Sequence, residues 1–109
     1  MNKETIIDFS LLGGPLYAGR DRGVEARKRL NLDDIDSVED VHVEVRVPER
    51  TYSVTSSFFL GLFGDSIRSC GEVNSFFHKF RFKAPEQMLE KFTGYARRAL
   101  REKKPLILQ

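Results

Sequence analysis

Apolar residues fall at every second position in some stretches of this chain and at every third or fourth in others. That alternation of periods lays out its elements. Val41, Val43, Val45 and Val47 alternate with His42, Glu44 and Arg46, which predicts a strand over 40–47 with one covered face and one wet one. Residues 4–9 alternate more loosely and predict a first strand that ends at Ser10. Residues 73–83 place Phe76, His78, Phe80 and Phe82 on one side and Phe77, Lys79, Arg81 and Lys83 on the other. They read as a third strand with a basic outer face.

The longer period marks three helices. Val24, Arg27 and Leu30/Asn31 share a stripe over 20–32, closed by the acidic cluster Asp33, Asp34 and Asp36, where a loop is expected. Phe59, Leu62/Phe63, Ile67 and Cys70 recur at helical spacing over 56–70, with Gly71 as the terminator. Gly61 and Gly64 lie inside that helix, each costing about 1 kcal/mol relative to alanine, so close backbone packing against a sheet or a partner is expected there. Pro85 opens a last helix whose apolar stripe is Met88/Leu89, Phe92, Tyr95/Ala96 and Ala99/Leu100. Arg97, Arg98, Arg101, Lys103 and Lys104 crowd its far end, where positive charge is favoured. Pro105 stops it before an apolar tail, Leu106–Leu108.

Between the first strand and first helix, residues 11–19 hold three glycines and a proline and read as a turn-rich connection. The order is β-loop-α-β-α-β-α. It predicts a small α/β sheet, at least partly parallel, with helices mainly on one side because the strands keep a polar face.

Length and charge narrow the function. At 109 residues the chain has room for one domain and one core, 1–109. A net charge of +2 is too balanced to imply nucleic-acid or membrane binding by itself. No apolar run reaches the roughly 18 residues of a membrane span, and Asp8 interrupts the N-terminal apolar stretch, so no secretory leader is expected. A single cysteine, Cys70, rules out an intramolecular disulfide. A cytoplasmic protein is the simplest reading.

The chemistry concentrates at Ser53, Thr55, Ser56 and Ser57, a hydroxyl cluster running into the helix over 56–70. Hydroxyls at a helix start satisfy unpaired N–H groups. The same place favours an attached or bound phosphate. Ser56 and Ser57 are therefore either caps or a regulatory switch. One of Phe58 and Phe59 is expected to face outward beside them as a docking spot. The Gly13–Arg20 loop lacks the spacing of a phosphate-binding loop, and a turn that lets the first helix pack closely explains it better. His42 and His78 have no convergent metal-ligand or catalytic pattern around them, so neither a metal, a cofactor nor an enzyme is expected. Lys79, Arg81 and Lys83 interleaved with phenylalanines, together with Arg97, Arg98 and Arg101, give a nucleic-acid-associated module as an alternative.

Three segments carry a resemblance: Leu16–Arg20 with Gly23 and Arg27, Val54–Phe58 followed by Leu62–Gly64, and Phe80–Ala84 with the helix after it. They resemble the STAS-like family of small bacterial domains of unknown function, relatives of the anti-sigma factor antagonists. The resemblance implies a STAS-like mixed sheet of four to five strands with helices packed mainly on one side. It also implies a partner-switching role: in the antagonists, a serine at this helix start is phosphorylated by a histidine-kinase-like ATPase, and phosphorylation releases that partner. Carried over, Ser56 is the first candidate and Ser57 the second. Tyr17, Arg20, Thr55 and Phe58 complete the docking surface. Thr55 stands where the antagonists have Asp, Phe58 where they have Gly, and Val45–Val47 replaces their central Asp-Phe. The fold tolerates these departures more easily than the switch does. The expected function is a non-enzymatic regulatory or adaptor domain. A small-anion or nucleotide sensor using the glycine loop and the helix start is a further alternative.

Overall fold

The computed structural model describes residues 3–14 and 16–102. Its elements in chain order are β1 (Lys3–Asp8), a 3-10 turn (Phe9–Leu12), β2 (Leu16–Tyr17), α1 (Arg20–Arg29), α2 (Leu32–Asp36), β3 (Val41–Arg46), β4 (Ser53–Val54), α3 (Ser56–Cys70), α4 (Val73–Lys79), β5 (Phe80–Lys83) and α5 (Glu86–Arg101). Lys103, Lys104, Pro105 and the tail 106–108 lie outside the described residues.

The chain is α/β, but its strands divide into two sheets. β1, β3 and β5 form a three-stranded sheet in that order, and β2 pairs with β4 in a separate two-stranded one. All these pairings are parallel, so the expected mixed sheet of four to five strands is corrected on both counts. The reason is local. The turn Phe9–Leu12 interrupts the chain after β1, and residues 47–52 do the same after β3, so the continuations pair with each other instead.

Alternation decides which face of the main sheet is covered. Val41, Val43 and Val45 are buried, as are Ile7 on one neighbour and Phe80 on the other. The opposite face carries Ile6, Asp8, Glu44, Arg46, Arg81 and Lys83, aligned by register Ile6↔Glu44↔Arg81 and Asp8↔Arg46↔Lys83. There the Arg46 guanidinium donates to Glu44. That bond holds the Glu44 carboxyl below its usual range, with further charge from Arg46 and Lys83.

Helix α3 matches the sequence reading residue for residue and is the centre of the molecule. Phe58 through Gly64, then Ser66 and Ile67, are all buried, as expected of a helix wrapped on every side. Phe59 stacks on Phe92 of α5 at 5.0 Å, and Phe63 meets Phe76, Phe80 and Phe82 edge-on between 5.4 and 5.7 Å. A second aromatic group, Phe9, Tyr17 and Phe58, lies under the start of α3 with centroids 5.1–6.1 Å apart.

The glycine in the middle of α3 has a specific use. A Cβ on Gly61 would overlap the Arg20 carbonyl oxygen, and one on Gly23 would overlap that of Phe58. Helices α1 and α3 thus cross backbone to backbone, which explains the cost accepted at Gly61; its partner is a helix, neither the sheet nor another molecule. Gly64 differs, since its Cβ would meet only the flexible Arg68 side chain.

Two further expectations change. Residues 73–83 are a helix followed by a strand, because Val73, Phe76, Phe77 and Phe80 also fit a helical stripe, and that stripe packs on α3. The acidic cluster after α1 forms α2 instead of a loop. Asn31 turns the chain in the left-handed region (φ 55°), and Asp33 and Asp34 then occupy the favourable first turn. Pro85 sits one position before α5.

Candidate functional site at the start of helix 3

The start of α3 is fixed from two sides. On one, Thr55 N–H donates to the Tyr17 carbonyl at 2.9 Å, continuing the β2–β4 pairing into the helix. On the other, the Tyr95 hydroxyl of α5 donates to the Val54 carbonyl at 3.2 Å. The cap itself is Thr55, whose Oγ1 accepts from Phe58 N–H at 3.2 Å. Ser56 and Ser57 are not the caps; they occupy the first helical turn and are left for other chemistry. Ser56 is half-buried and Ser57 exposed.

A guanidinium has been brought to this place from the far end of the chain. Arg98 Nη1 donates to Ser56 Oγ at a long 3.4 Å, while its Nε donates to Glu102 at 2.8 Å. The bond from Arg98 holds the Glu102 carboxyl below the usual glutamate range, and the charges of Arg98, Arg20 and Arg101 lower it further. Arg20 opens α1, which runs parallel to α3: Gly23 meets Phe58 and Leu62, and Arg27 reaches Leu62 and Ser66. The two helices therefore present their amino ends together. Arg98 thus bonds both the Glu102 carboxylate and the Ser56 hydroxyl, and the charges of Arg20 and Arg101 act on the same carboxylate.

Two members of the expected surface are withdrawn from it. Phe58 is 3% exposed and Tyr17 also 3%. Phe59 is buried as well, so neither aromatic of the pair faces outward. Phe58 turns inward because the third helix position after the cap faces the Phe9–Tyr17 group. Tyr17 is held there by its hydroxyl, which lies 2.6 Å from the Phe9 carbonyl and 2.7 Å from that of Gly13. Burial, with Asp8 nearby, pushes the Tyr17 pKa up; Arg50 opposes the shift. The exposed aromatic is instead Tyr52, 81% exposed one residue before β4, with Leu16 half-exposed across the β2–β4 pair. No period in the sequence signals this: Tyr52 and Val54 are two apart, so alternation would turn both to the same face, and Tyr52 escapes it because β4 begins only at Ser53.

The basic residues of the nucleic-acid alternative do not form one surface. Lys79 Nζ is committed to the Ile35 and Val38 carbonyls at 2.8 and 2.9 Å, closing the end of α2. Arg81 and Lys83 lie on the open face of the sheet. Phe82, between them, turns to the other face and meets Phe92 of α5. Arg97, Arg98 and Arg101 belong to that helical side, at the far end of α5, and two of them contribute to the serine site.

His42 and His78, from β3 and α4, come together with rings 5.6 Å apart, and His42 Nδ1 is buried without a hydrogen-bond partner among the described residues. No group of three or more metal-ligating side chains occurs among the described residues. Burial pushes the Cys70 thiol above its ordinary value. No helix among the described residues is long and apolar enough to cross a membrane. Comparison with protein-family models, curated proteins and solved structures finds no match to this chain.

Proposed function

We propose that this chain is a non-enzymatic, cytoplasmic regulatory domain of the STAS-like kind, which docks a protein partner through the start of α3. The partner class that fits is a histidine-kinase-like ATPase acting on Ser57 or Ser56 in a bacterial partner-switching system. The observation that carries the reading is the contact of Arg98 with Ser56, a hydroxyl that does not cap the helix, next to the exposed Ser57 and within the field of Arg20 and Arg101.

A phosphate on either serine would carry a charge of about −1.5 to −2 at a helix amino end, where the dipole and guanidiniums favour it. The domain would keep its fold. The partner would face a dianion where it had met a neutral hydroxyl rim, with Tyr52 and Leu16 as the nearby apolar contacts. Because Thr55 carries the cap, the switch is separable from the stability of the helix.

The test pairs the full chain with each histidine-kinase-like ATPase encoded in the same genome. Titration calorimetry is expected to find one that binds the wild type and loses at least about tenfold with Ser57→Glu or Ser56→Glu. Phosphopeptide mapping after incubation with ATP then assigns the serine. Equal binding of both variants, or no binding to any such ATPase, would overturn the reading.

A further inference from the structure

The glycine loop that connects β1 to α1 builds a second place on the molecule, with its own set of residues. Gly13 and Gly14 take φ values of 111° and 109°, a region L-residues avoid, so the chain folds tightly over the Tyr17 ring. A Cβ at Gly14 would strike that ring. The hydroxyl of Tyr17 ties the loop to the end of β1 through the Phe9 and Gly13 carbonyls. The aromatic floor beneath it, Phe9, Tyr17 and Phe58, is buried and set before any ligand arrives.

Two hollows flank this loop. One, of about 290 Å³, lies between the loop and α1, with Leu12, Ala26 and Phe58 as apolar lining and Arg22, Glu25 and Arg29 as its charged wall. The other, of about 270 Å³, lies past the carboxyl ends of β1 and β3 and includes Arg50 and Thr51. Gly13, Gly14 and Tyr17 border both. Crevices beyond the carboxyl ends of parallel strands are where α/β sheets characteristically hold ligands.

The charged wall is unspent. Arg22, Glu25 and Arg29 stand at positions i, i+3 and i+7 of α1, on one face of the helix. None of the three side chains makes a hydrogen bond or ion pair within the described residues, although Glu25 is within sequence reach of both arginines. This contrasts with Arg27 of the same helix, whose guanidinium makes four hydrogen bonds. Two uncommitted guanidiniums match a dianion, the carboxylate between them matches a hydroxyl or amino donor, and the apolar lining matches a flat ring. The volume is near the lower end for small-molecule sites.

We propose that the hollow between the glycine loop and α1 binds a phosphate monoester of mononucleotide size, with the phosphate on Arg22 and Arg29 and a ligand hydroxyl or amino group on Glu25. The site is independent of the partner-docking reading, and neither depends on the other being right.

Calorimetric titration of the full chain with AMP, and separately with inorganic phosphate, tests it. AMP is expected to saturate a single site, with phosphate at least about tenfold weaker because it leaves the apolar lining and Glu25 unused. An Arg22→Gln, Arg29→Gln double variant changes only exposed side chains and is expected to lose AMP by about tenfold or more. Arg97→Gln, on the exposed face of α5, is expected to bind as the wild type does. A heat signal that fails to saturate by about 5 mM AMP overturns the proposal. So does equal AMP affinity in the double variant, or phosphate binding as tightly as AMP. A melting-temperature comparison of variant and wild type without ligand confirms that a loss of binding is not a loss of fold.

Discussion

Helix α3 meets a guanidinium and a serine twice, and the two meetings are built differently. In its middle, Arg27 donates to the Leu62 carbonyl at 3.1 Å, Ser66 Oγ at 2.9 Å and Asp33 at 2.8 Å, with a further short bond to Asp36. Ser66 Oγ in turn donates to Asp36 at 3.0 Å. At its start, Arg98 has Glu102 and one long contact to Ser56. The first site is largely buried, with Arg27 8% and Asp36 13% exposed, and both terminal nitrogens of the guanidinium donate twice. The second is open, with Arg98 46% exposed. A buried network with four strong bonds fixes one arrangement of helices; a sparser exposed one keeps hydrogen-bonding capacity for something that arrives. The same residue pair serves as architecture in one place and as a receptive surface in the other.

The sharpest way to break that contrast is at Arg27. Burial works against its charge, but the bonds to Asp36 and Asp33 outweigh it, so its pKa is raised and it stays charged. Arg27→Ala would leave Asp36, only 13% exposed, and Ser66 without their partner. The expected loss is about 3–5 kcal/mol by urea denaturation. Arg98→Ala is expected to cost within about 1 kcal/mol, as exposed ion pairs do. A loss at Arg27 no larger than that at Arg98 would remove the distinction.

Next in size is the crossing that seats Arg27. Gly61→Ala adds about 1 kcal/mol of helix propensity, yet its Cβ overlaps backbone of α1 that cannot step aside. A net loss of about 1–3 kcal/mol is expected. Gly94→Ala, with open space around it in α5, is expected to gain about 0.5–1 kcal/mol. If both alanines stabilise, the two helices are not in backbone contact.

These residues also mark how far the sequence could be read. Helix α3, strand β3 and the stripe of α5 were legible because burial repeats with a clean period in each. Gly61 announced a close approach by its cost, though not its partner, since which helix lies across it is a tertiary fact. Residues 73–83 misled because phenylalanines at 76, 77, 80 and 82 satisfy both periods; packing of Phe76 on Phe63 decided the matter. The serine site was legible as a place but not as a constellation. Arg98 lies 42 residues from Ser56, and nothing local could foretell that α5 ends there. The cap was misassigned for a simpler reason: three consecutive hydroxyls, Thr55 to Ser57, each satisfy the capping preference, and only backbone geometry picks Thr55.

That choice of cap gives a smaller prediction. Thr55→Ala removes the one side-chain bond to the helix amino end, at Phe58 N–H, and is expected to cost about 1 kcal/mol. Ser57→Ala is exposed and caps nothing, so its expected effect on stability is within about 0.5 kcal/mol. Thermal unfolding of the two variants side by side decides it. A cost at Ser57 equal to that at Thr55 would return Ser57 to a structural role and weaken the case for a switch.

The smallest effect expected is on the exposed network itself, through pH. Glu102 is held below its ordinary pKa first by the hydrogen bond from Arg98, then by the charges of Arg98, Arg20 and Arg101. A carboxyl depressed in the folded state contributes stability that is present above its unfolded pKa and is lost as pH falls through the lower folded value. At neutral pH the Arg98–Glu102 bond is therefore intact, and acid releases Arg98. The Arg98 Nε–H resonance should shift with a midpoint below that of an unperturbed glutamate, and Glu102→Gln should abolish the shift. In that variant Arg98 is free at neutral pH, so a phosphate on Ser56 should find it uncommitted and bind it without acid. An Arg98 resonance that ignores pH across the carboxylate range would mean that Glu102 does not hold it. Arg98 would then already be available to the serines in the resting molecule.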